Sequence, residues 1–236
     1  MSITKEQLTE IIINYKRENK VPFIVEVLGT PNSGKTSAIQ TFEKLLKRCN
    51  IKHKVIYEPA SKCKVKNKLS PEFNLWTMSE TIKQLLDVCL GSYDIIVCER
   101  GLLDSLCWFQ LYYQEKVITA DEFGRIHSFI LLSRLIENID CYYIFQSDVK
   151  TSLERESLHG LIDVVGTIVN ENILKKYNSA LDLTVKQHEN DFKRIIRIDT
   201  SDMSQTEINR EFTSQILQHL KLGWEKNADK ESGFAF

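Results

Sequence analysis

The chain is poor in the residues that break or staple a fold. Four prolines and nine glycines among 236 residues leave long stretches without backbone punctuation, which excludes a linker-rich or low-complexity architecture. No sign of charge dominates. Lys and Arg number 31 and Asp and Glu 32, a net charge of −1, so bulk electrostatics gives no pull toward nucleic acid or an anionic membrane. No apolar run approaches the ~20 residues that cross a bilayer. Met1-Ser2-Ile3-Thr4-Lys5-Glu6-Gln7 lacks the basic-then-apolar order of a signal peptide, and a cytoplasmic protein is expected. The six cysteines (Cys49, Cys63, Cys89, Cys98, Cys107 and Cys141) include no C-x-x-C pair and no ligand spacing. They read as buried free thiols in a reducing compartment, not as disulfides or a metal cluster.

What is present is an ordinary globular composition, 42% hydrophobic and 27% charged, in a length that suits one domain with a full core. The chain is organised around Gly29-Thr30-Pro31-Asn32-Ser33-Gly34-Lys35-Thr36-Ser37. Residues 29–36 fit G-x-x-x-x-G-K-[ST], a phosphate-binding loop. The context agrees: Phe23-Ile24-Val25-Glu26-Val27-Leu28 reads as a strand entering the loop, and residues 38–46 carry apolar side chains at helical spacing after it. Strand, glycine loop and helix in that order aim backbone N–H groups at an anion. A nucleoside triphosphate is expected here, with Lys35 on the outer phosphates and the Thr36 hydroxyl on magnesium.

Around this loop, residues 3–19 read as an amphipathic helix, residues 54–59 as a second strand and residues 60–74 as a polar, lysine-rich loop or lid. A helix over 74–90, a strand over 93–101, helices over 102–114 and 120–138, and a strand over 141–146 follow. The pattern closes with helices over 152–158 and 170–190, a strand over 194–199 and a helix over 204–222. Five apolar strands alternating with helices predict an α/β fold with a doubly wound, five-stranded parallel sheet. The expected organisation is an extra N-terminal helix over 1–20, a main domain over 21–222 with a helical lid near 148–166, and a mobile polar tail over 223–236. The N-terminal helix reads as packing on the core, with partner binding as the alternative.

In such a sheet ligands sit beyond the carboxyl ends of the strands, and charge gathers there. The second strand ends at Glu58 and the third at Glu99-Arg100, with Asp104 one helical turn on; Asp148 and Arg155 follow the fourth. Phosphoryl transfer needs a metal held by an acid, cations on the migrating group and a group that positions the acceptor. Thr36 with Glu99 or Glu58 fits the first role, Lys35, Arg100 and Arg155 the second, and Glu58 the third. Each has a plainer reading: Glu99-Arg100 as a structural ion pair, Glu58 as a turn residue, Asp104 as a helix cap, and Arg155 as part of a salt-bridged surface helix.

The motifs resemble the nucleoside and nucleotide kinase branch of the phosphate-loop (P-loop) NTPase fold, near the deoxynucleoside kinases and thymidylate kinases, over about residues 22–222. Glu58-Pro59-Ala60 is similar to the Glu-Pro motif after the second strand of deoxynucleoside kinases, which implies a general base at Glu58. Glu99-Arg100 is similar to their Glu-Arg pair, and residues 99–105 with Gln110 resemble the Asp-Arg-Tyr region of thymidylate kinases. Arg155 falls where these families place lid arginines, and Ile198-Asp199-Thr200-Ser201 resembles their adenine-side loop. The chain departs from the pattern in having one lid arginine and in Gly101 where Ser or Tyr follows the arginine. Phe73-Asn74-Leu75-Trp76-Thr77 and Gly166-Thr167-Ile168-Val169-Asn170 are closer to uncharacterised bacterial ATP-binding proteins of kinase-like fold.

The resemblance implies ATP and Mg²⁺ as cofactors and a nucleoside, nucleotide or similar small molecule as phosphoryl acceptor. Phe73, Asn74 and Trp76 would build the acceptor pocket with Glu58, Arg100 and Asp104, although Phe73 and Trp76 read equally as core anchors. Lys62, Lys64, Lys66 and Lys68 suit a phosphorylated acceptor, a nucleic-acid strand or simple solvation. A second copy of the chain stays among the expected partners. Two other functions remain open: a nucleotide-dependent switch acting on a protein, and a kinase of nucleic-acid ends or modified bases.

Overall fold

The computed structural model describes residues 5–19, 22–89, 91–159 and 170–231. Its frame is a five-stranded, wholly parallel sheet: β1 (Phe23–Gly29), β2 (His53–Ile56), β3 (Ile95–Glu99), β4 (Cys141–Gln146) and β5 (Ile195–Asp199), in the order β2-β3-β1-β4-β5. β1 lies at the centre, in register with β3 from Phe23 opposite Ile95 and with β4 from Val25 opposite Cys141. Every residue of β1 is buried, as expected of a strand covered on both faces.

The period-two alternation of a strand sends its side chains to opposite faces, and each face has its own core. Val25, Val27, Ile95, Val97, Tyr143 and Phe145 face one way. They pack with Leu8 of α1 (Lys5–Asn19), Ala38 and Phe42 of α2 (Lys35–Arg48), and Phe212 and Ile216 of α9 (Gln205–Glu231). Ile24, Leu28, Ile96, Cys98, Tyr142 and Ile144 face the other way. Against them pack Leu85 of α3 (Pro71–Cys89), Leu106 and Phe109 of α4 (Leu102–Gln114), and Tyr177 and Leu181 of α8 (Glu171–His188). The sequence reading of α1 as a packing helix agrees with Leu8, Ile12 and Tyr15, all buried. The remaining helices are α5 (Ala120–Ile130), α6 (Ser133–Ile136) and α7 (Val149–His159).

Several boundaries differ from the sequence reading. The single helix expected over 120–138 is two, because Leu132 takes an extended ψ of 125° and so turns Leu135, Ile136 and Ile139 into the core. Helix α3 begins at Pro71 rather than Asn74: proline suits a first helical position, and the Ser70 hydroxyl accepts the Phe73 N–H at 3.3 Å. The lysine-rich segment is not wholly a loop, since Pro59–Lys62 form a 3₁₀ turn. Strand β2 stops at Ile56, two residues short of Glu58. Helix α9 continues to Glu231, past the end expected at Leu222. Residues 160–169, which hold the end of the expected lid (148–166) and all of the Gly166–Asn170 motif but Asn170, lie outside the described residues, as do residues 1–4 and 232–236. The cysteines are free; Cys49, Cys98, Cys107 and Cys141 are buried, and Cys63 and Cys89 partly so.

Candidate active site

The loop between β1 and α2 forms from its sequence as expected. Gly29 holds φ +124°, and a Cβ there would stand 1.9 Å from the Phe145 carbonyl oxygen, so only glycine lets β1 and β4 approach this closely. Thr30 ties the loop to the end of β4: its N–H donates to Phe145 O at 3.0 Å, and its hydroxyl accepts the Ser147 N–H at 3.1 Å. Pro31 and Asn32 form the tip, with Asn32 in the left-handed region at φ 59°. The Ser33 hydroxyl donates to Thr30 O at 2.8 Å. Lys35 lies across the loop and donates to Gly29 O at 3.2 Å and Thr30 O at 2.5 Å. Burial lowers its pKa to about 7, with repulsion from Arg100 adding to the effect.

Thr36 and Glu99, the two residues assigned to a metal, meet. Thr36 Oγ1 donates to Glu99 Oε1 at 2.5 Å across the gap between α2 and the end of β3. Beside them runs a groove of about 290 Å³ lined by Asn32, Gly34, Lys35, Thr36, Ser37, Arg155, Met203, Gln205 and Ile208.

On the other side of Glu99 the chain reverses through Arg100, whose φ is 58°. Arg100 is the centre of an ionic chain. Its Nε donates to Glu58 Oε2 at 2.9 Å, and its Nη1 to Asp104 Oδ1 at 3.2 Å and Oδ2 at 3.3 Å. Asp104 Oδ1 also accepts the Tyr177 hydroxyl at 2.6 Å. Burial works against the Arg100 cation, but the carboxylates of Glu58 and Asp104 outweigh it and raise its pKa further. Glu58 is the accessible end of the chain, its side chain 38% exposed. The alternative reading of Asp104 as a helix cap is not what the structure shows, because another carboxylate holds that place.

That carboxylate is Glu26, which in the sequence reads as part of an apolar strand. Its side chain leaves β1 toward α4, and its oxygens accept the N–H groups of Gly101, Leu102, Leu103 and Asp104 at 3.1, 2.9, 3.3 and 3.0 Å. Gly101, the departure from the kinase motifs, has a local reason: a Cβ there would meet Glu26 Oε2 at 2.5 Å. The available signal was a lone acid at position 26 inside a fully apolar strand.

The other expected site residues divide. Arg155 borders the groove, but its guanidinium donates to loop oxygens: Asn32 O at 3.3 Å, Thr200 O at 2.6 Å and Met203 O at 3.1 Å. It therefore ties α7 to both the phosphate loop and the segment after β5. Phe73 and Asn74 are buried in the first turn of α3 and Trp76 is half-buried. The Asn74 amide donates to the Tyr112 hydroxyl, so that part of its edge is already engaged. Trp108 and Tyr177 lie against each other between α4 and α8, ring centres 4.9 Å apart. The four lysines of the 62–68 segment are all exposed.

No protein-family model matches the chain, and no curated protein matches it. Solved structures do. Deoxyadenosine kinase from M. mycoides with bound dATP superimposes at a TM-score of 0.60 with 13% identity, over 82% of this chain and 99% of that one. The same enzyme with bound dCTP gives 0.59 and 16%, over 82% and 100%. With the products dCMP and a flexible dCDP bound it gives 0.58 and 14%, over 82% and 98%. The parallel sheet, the phosphate loop at its centre and this likeness along nearly the whole of the compared enzyme lead to one conclusion: the chain has the α/β P-loop fold found in deoxynucleoside kinases.

Proposed function

We propose that this protein is a phosphotransferase that moves the γ-phosphoryl group of ATP to a hydroxyl of a nucleoside-like acceptor. The observation that carries the reading is the unbroken run of contacts from Glu58 through Arg100 to Asp104, beside the Thr36–Glu99 pair and Lys35. A bare phosphate loop serves any nucleotide-dependent protein. A carboxylate that is partly exposed, held in place by an arginine and set beside the loop serves a second substrate.

The donor's phosphates lie against the loop N–H groups, with Lys35 and Arg100 placing positive charge near the transferring group. Thr36 and Glu99 supply two hard oxygen donors within 2.5 Å of each other, a set that fits magnesium, which takes few protein oxygens together with phosphate oxygens. Magnesium bound there would neutralise charge on the β- and γ-phosphates. Glu58 accepts the proton of the acceptor hydroxyl as that oxygen bonds to the γ-phosphorus, and the bond from phosphorus to the departing diphosphate breaks. Arg100 keeps Glu58 in place for this step. Arg155 lines the groove together with Met203 and Ile208 and joins the phosphate loop to the segment after β5, where the donor's base would lie. Phe73, Asn74 and Trp76 flank the acceptor from α3.

Incubation with labelled ATP and a panel of nucleosides and nucleotides tests the reading. Transfer to at least one nucleoside is expected, and ATP hydrolysis without transfer to any acceptor counts against it. Glu58→Gln should lower kcat about 10²- to 10⁴-fold, the usual range for removing a general base, while nucleotide binding stays. Lys35→Ala should abolish measurable turnover, because the outer phosphates lose their buried cation.

A further inference from the structure

Helix α4 carries Asp104 in its first turn and follows directly on Arg100, so whatever fixes that turn fixes the acceptor side of the site. The N–H groups that open a helix have no partners within it. In α4 the usual side-chain cap is missing: residue 101 is glycine, and no side chain caps from that position. Glu26 takes its place from a different element, 75 to 78 residues away in sequence. Its Oε1 accepts from Gly101 and Asp104, and its Oε2 from Leu102 and Leu103. A carboxylate offers about four lone-pair directions, and all are met by backbone donors. Its negative charge also sits at the positive end of the helix.

The fit is tight from both sides. Glu26 is fully buried, and Gly101 leaves no room for a methyl group against its oxygens. The Arg100 N–H donates to Val27 O at 2.9 Å, so β1 holds the residue before the turn by its backbone and the turn itself by a side chain. Three residues after Glu26, the same strand becomes the phosphate loop at Gly29.

We infer that Glu26 is a positioning residue for phosphoryl transfer, setting Arg100 and Asp104 in register with the phosphate loop through the first turn of α4. The inference rests on the phosphotransferase reading, and its geometry predicts a selective defect. The glutamine of Glu26→Gln keeps the shape but turns an –NH₂ toward two of the four N–H groups, donor against donor. The first turn of α4 then shifts, while α2 and the donor's contacts do not. An aspartate at 26 keeps the charge on a shorter stem. An alanine at 101 pushes the native carboxylate away from the other side.

The test measures steady-state transfer to the best acceptor found for the wild type, varying ATP and acceptor separately, in Glu26→Gln, Glu26→Asp and Gly101→Ala. Expected are a fall of about 10- to 100-fold in kcat/KM for the acceptor in Glu26→Gln and Gly101→Ala, the scale of a misplacement near 1 Å. The KM for ATP should stay within twofold, and Glu26→Asp should recover part of the loss. Amide exchange of the 101–107 segment should quicken in the same two variants while the segment over 29–37 keeps its protection. Should Glu26→Gln misfold, Gly101→Ala and Glu26→Asp carry the same test. Equal losses for ATP and acceptor, or faster exchange with unchanged transfer, make Glu26 a structural cap alone and overturn the inference. A wild type that transfers to no acceptor instead overturns the phosphotransferase reading beneath it.

Discussion

Burial raises the Glu26 carboxyl from 4.5 to about 7, against the opposing pull of the Asp104, Leu103 and Gly101 N–H groups. The charged groups facing it are few. Asp104 on α4 adds repulsion, while Cys98 on β3 and Tyr142 on β4 stay neutral because burial lifts both well above their ordinary range. The folded chain thus keeps a proton that the unfolded chain releases between pH 4.5 and 7. Its stabilising contribution is full below 4.5, declines through that window and is lost above 7. Urea unfolding of the wild type and Glu26→Gln should show their stability difference moving against the wild type by about 2–3 kcal/mol from pH 5 to 7.5. A difference that stays constant would place the titration elsewhere. The charged form that the helix cap requires is therefore the form that favours the fold least. The one signal for this group in the sequence is weak, because a lone acid among five apolar side chains reads as an irregularity of the strand. Lys35, Thr36, Glu58, Glu99 and Arg100 were legible for the opposite reason: each stands at a strand end or in a motif whose spacing has a chemical meaning.

Helix ends were harder to read than helix existence. The segment over 102–114 matched α4 residue for residue, since its neighbours Gly101 and Glu115 mark it clearly. The break between α5 and α6 was hidden, because neither proline nor glycine marks it. It comes from burying Leu135, Ile136 and Ile139, a tertiary demand that local propensity does not carry. The start of α3 at Pro71 was legible in principle from proline's place in a first turn. Helix α1 offers the clearest test among these elements. Leu8 is fully enclosed in the core that α1 shares with α9, so Leu8→Ala should destabilise the protein by about 2–5 kcal/mol. A change under 0.5 kcal/mol would free the helix for a partner and return the alternative reading.

The parallel sense of the sheet follows from the sequence by short steps. A strand, a helix and a second strand make a right-handed crossover between parallel strands, whereas the central place of β1 between β3 and β4 has no motif that marks it. Which charges touch could not be read the same way, since Glu58, Arg100 and Tyr177 come from three distant segments. Arg155 joins the phosphate loop, α7 and the β5–α9 segment, so the nucleotide binding proposed above should stabilise the protein as a unit. ATP with magnesium at 100 times its Kd adds about 2.7 kcal/mol, which for a chain of this size lifts Tm by about 5–11 °C. Lys35→Ala should show little of this shift under the same conditions, measured by calorimetry. A wild-type Tm that does not respond would mean that the groove holds no triphosphate.

The cap on α4 also bears on how the protein can be remade. Because Glu26 ties the segment from Gly101 to Asp104 to the strand that carries the phosphate loop, the proposed reaction centre forms a chassis separate from α3. Phe73 and Trp76, which the proposed function sets beside the acceptor, stand on α3, outside the four bonds of the cap. Randomising positions 73 and 76 should yield variants that change in which molecule they admit and keep their reactivity, whereas libraries at 26 or 101 should return mostly inactive protein. A directed-evolution campaign on this scaffold would begin at α3.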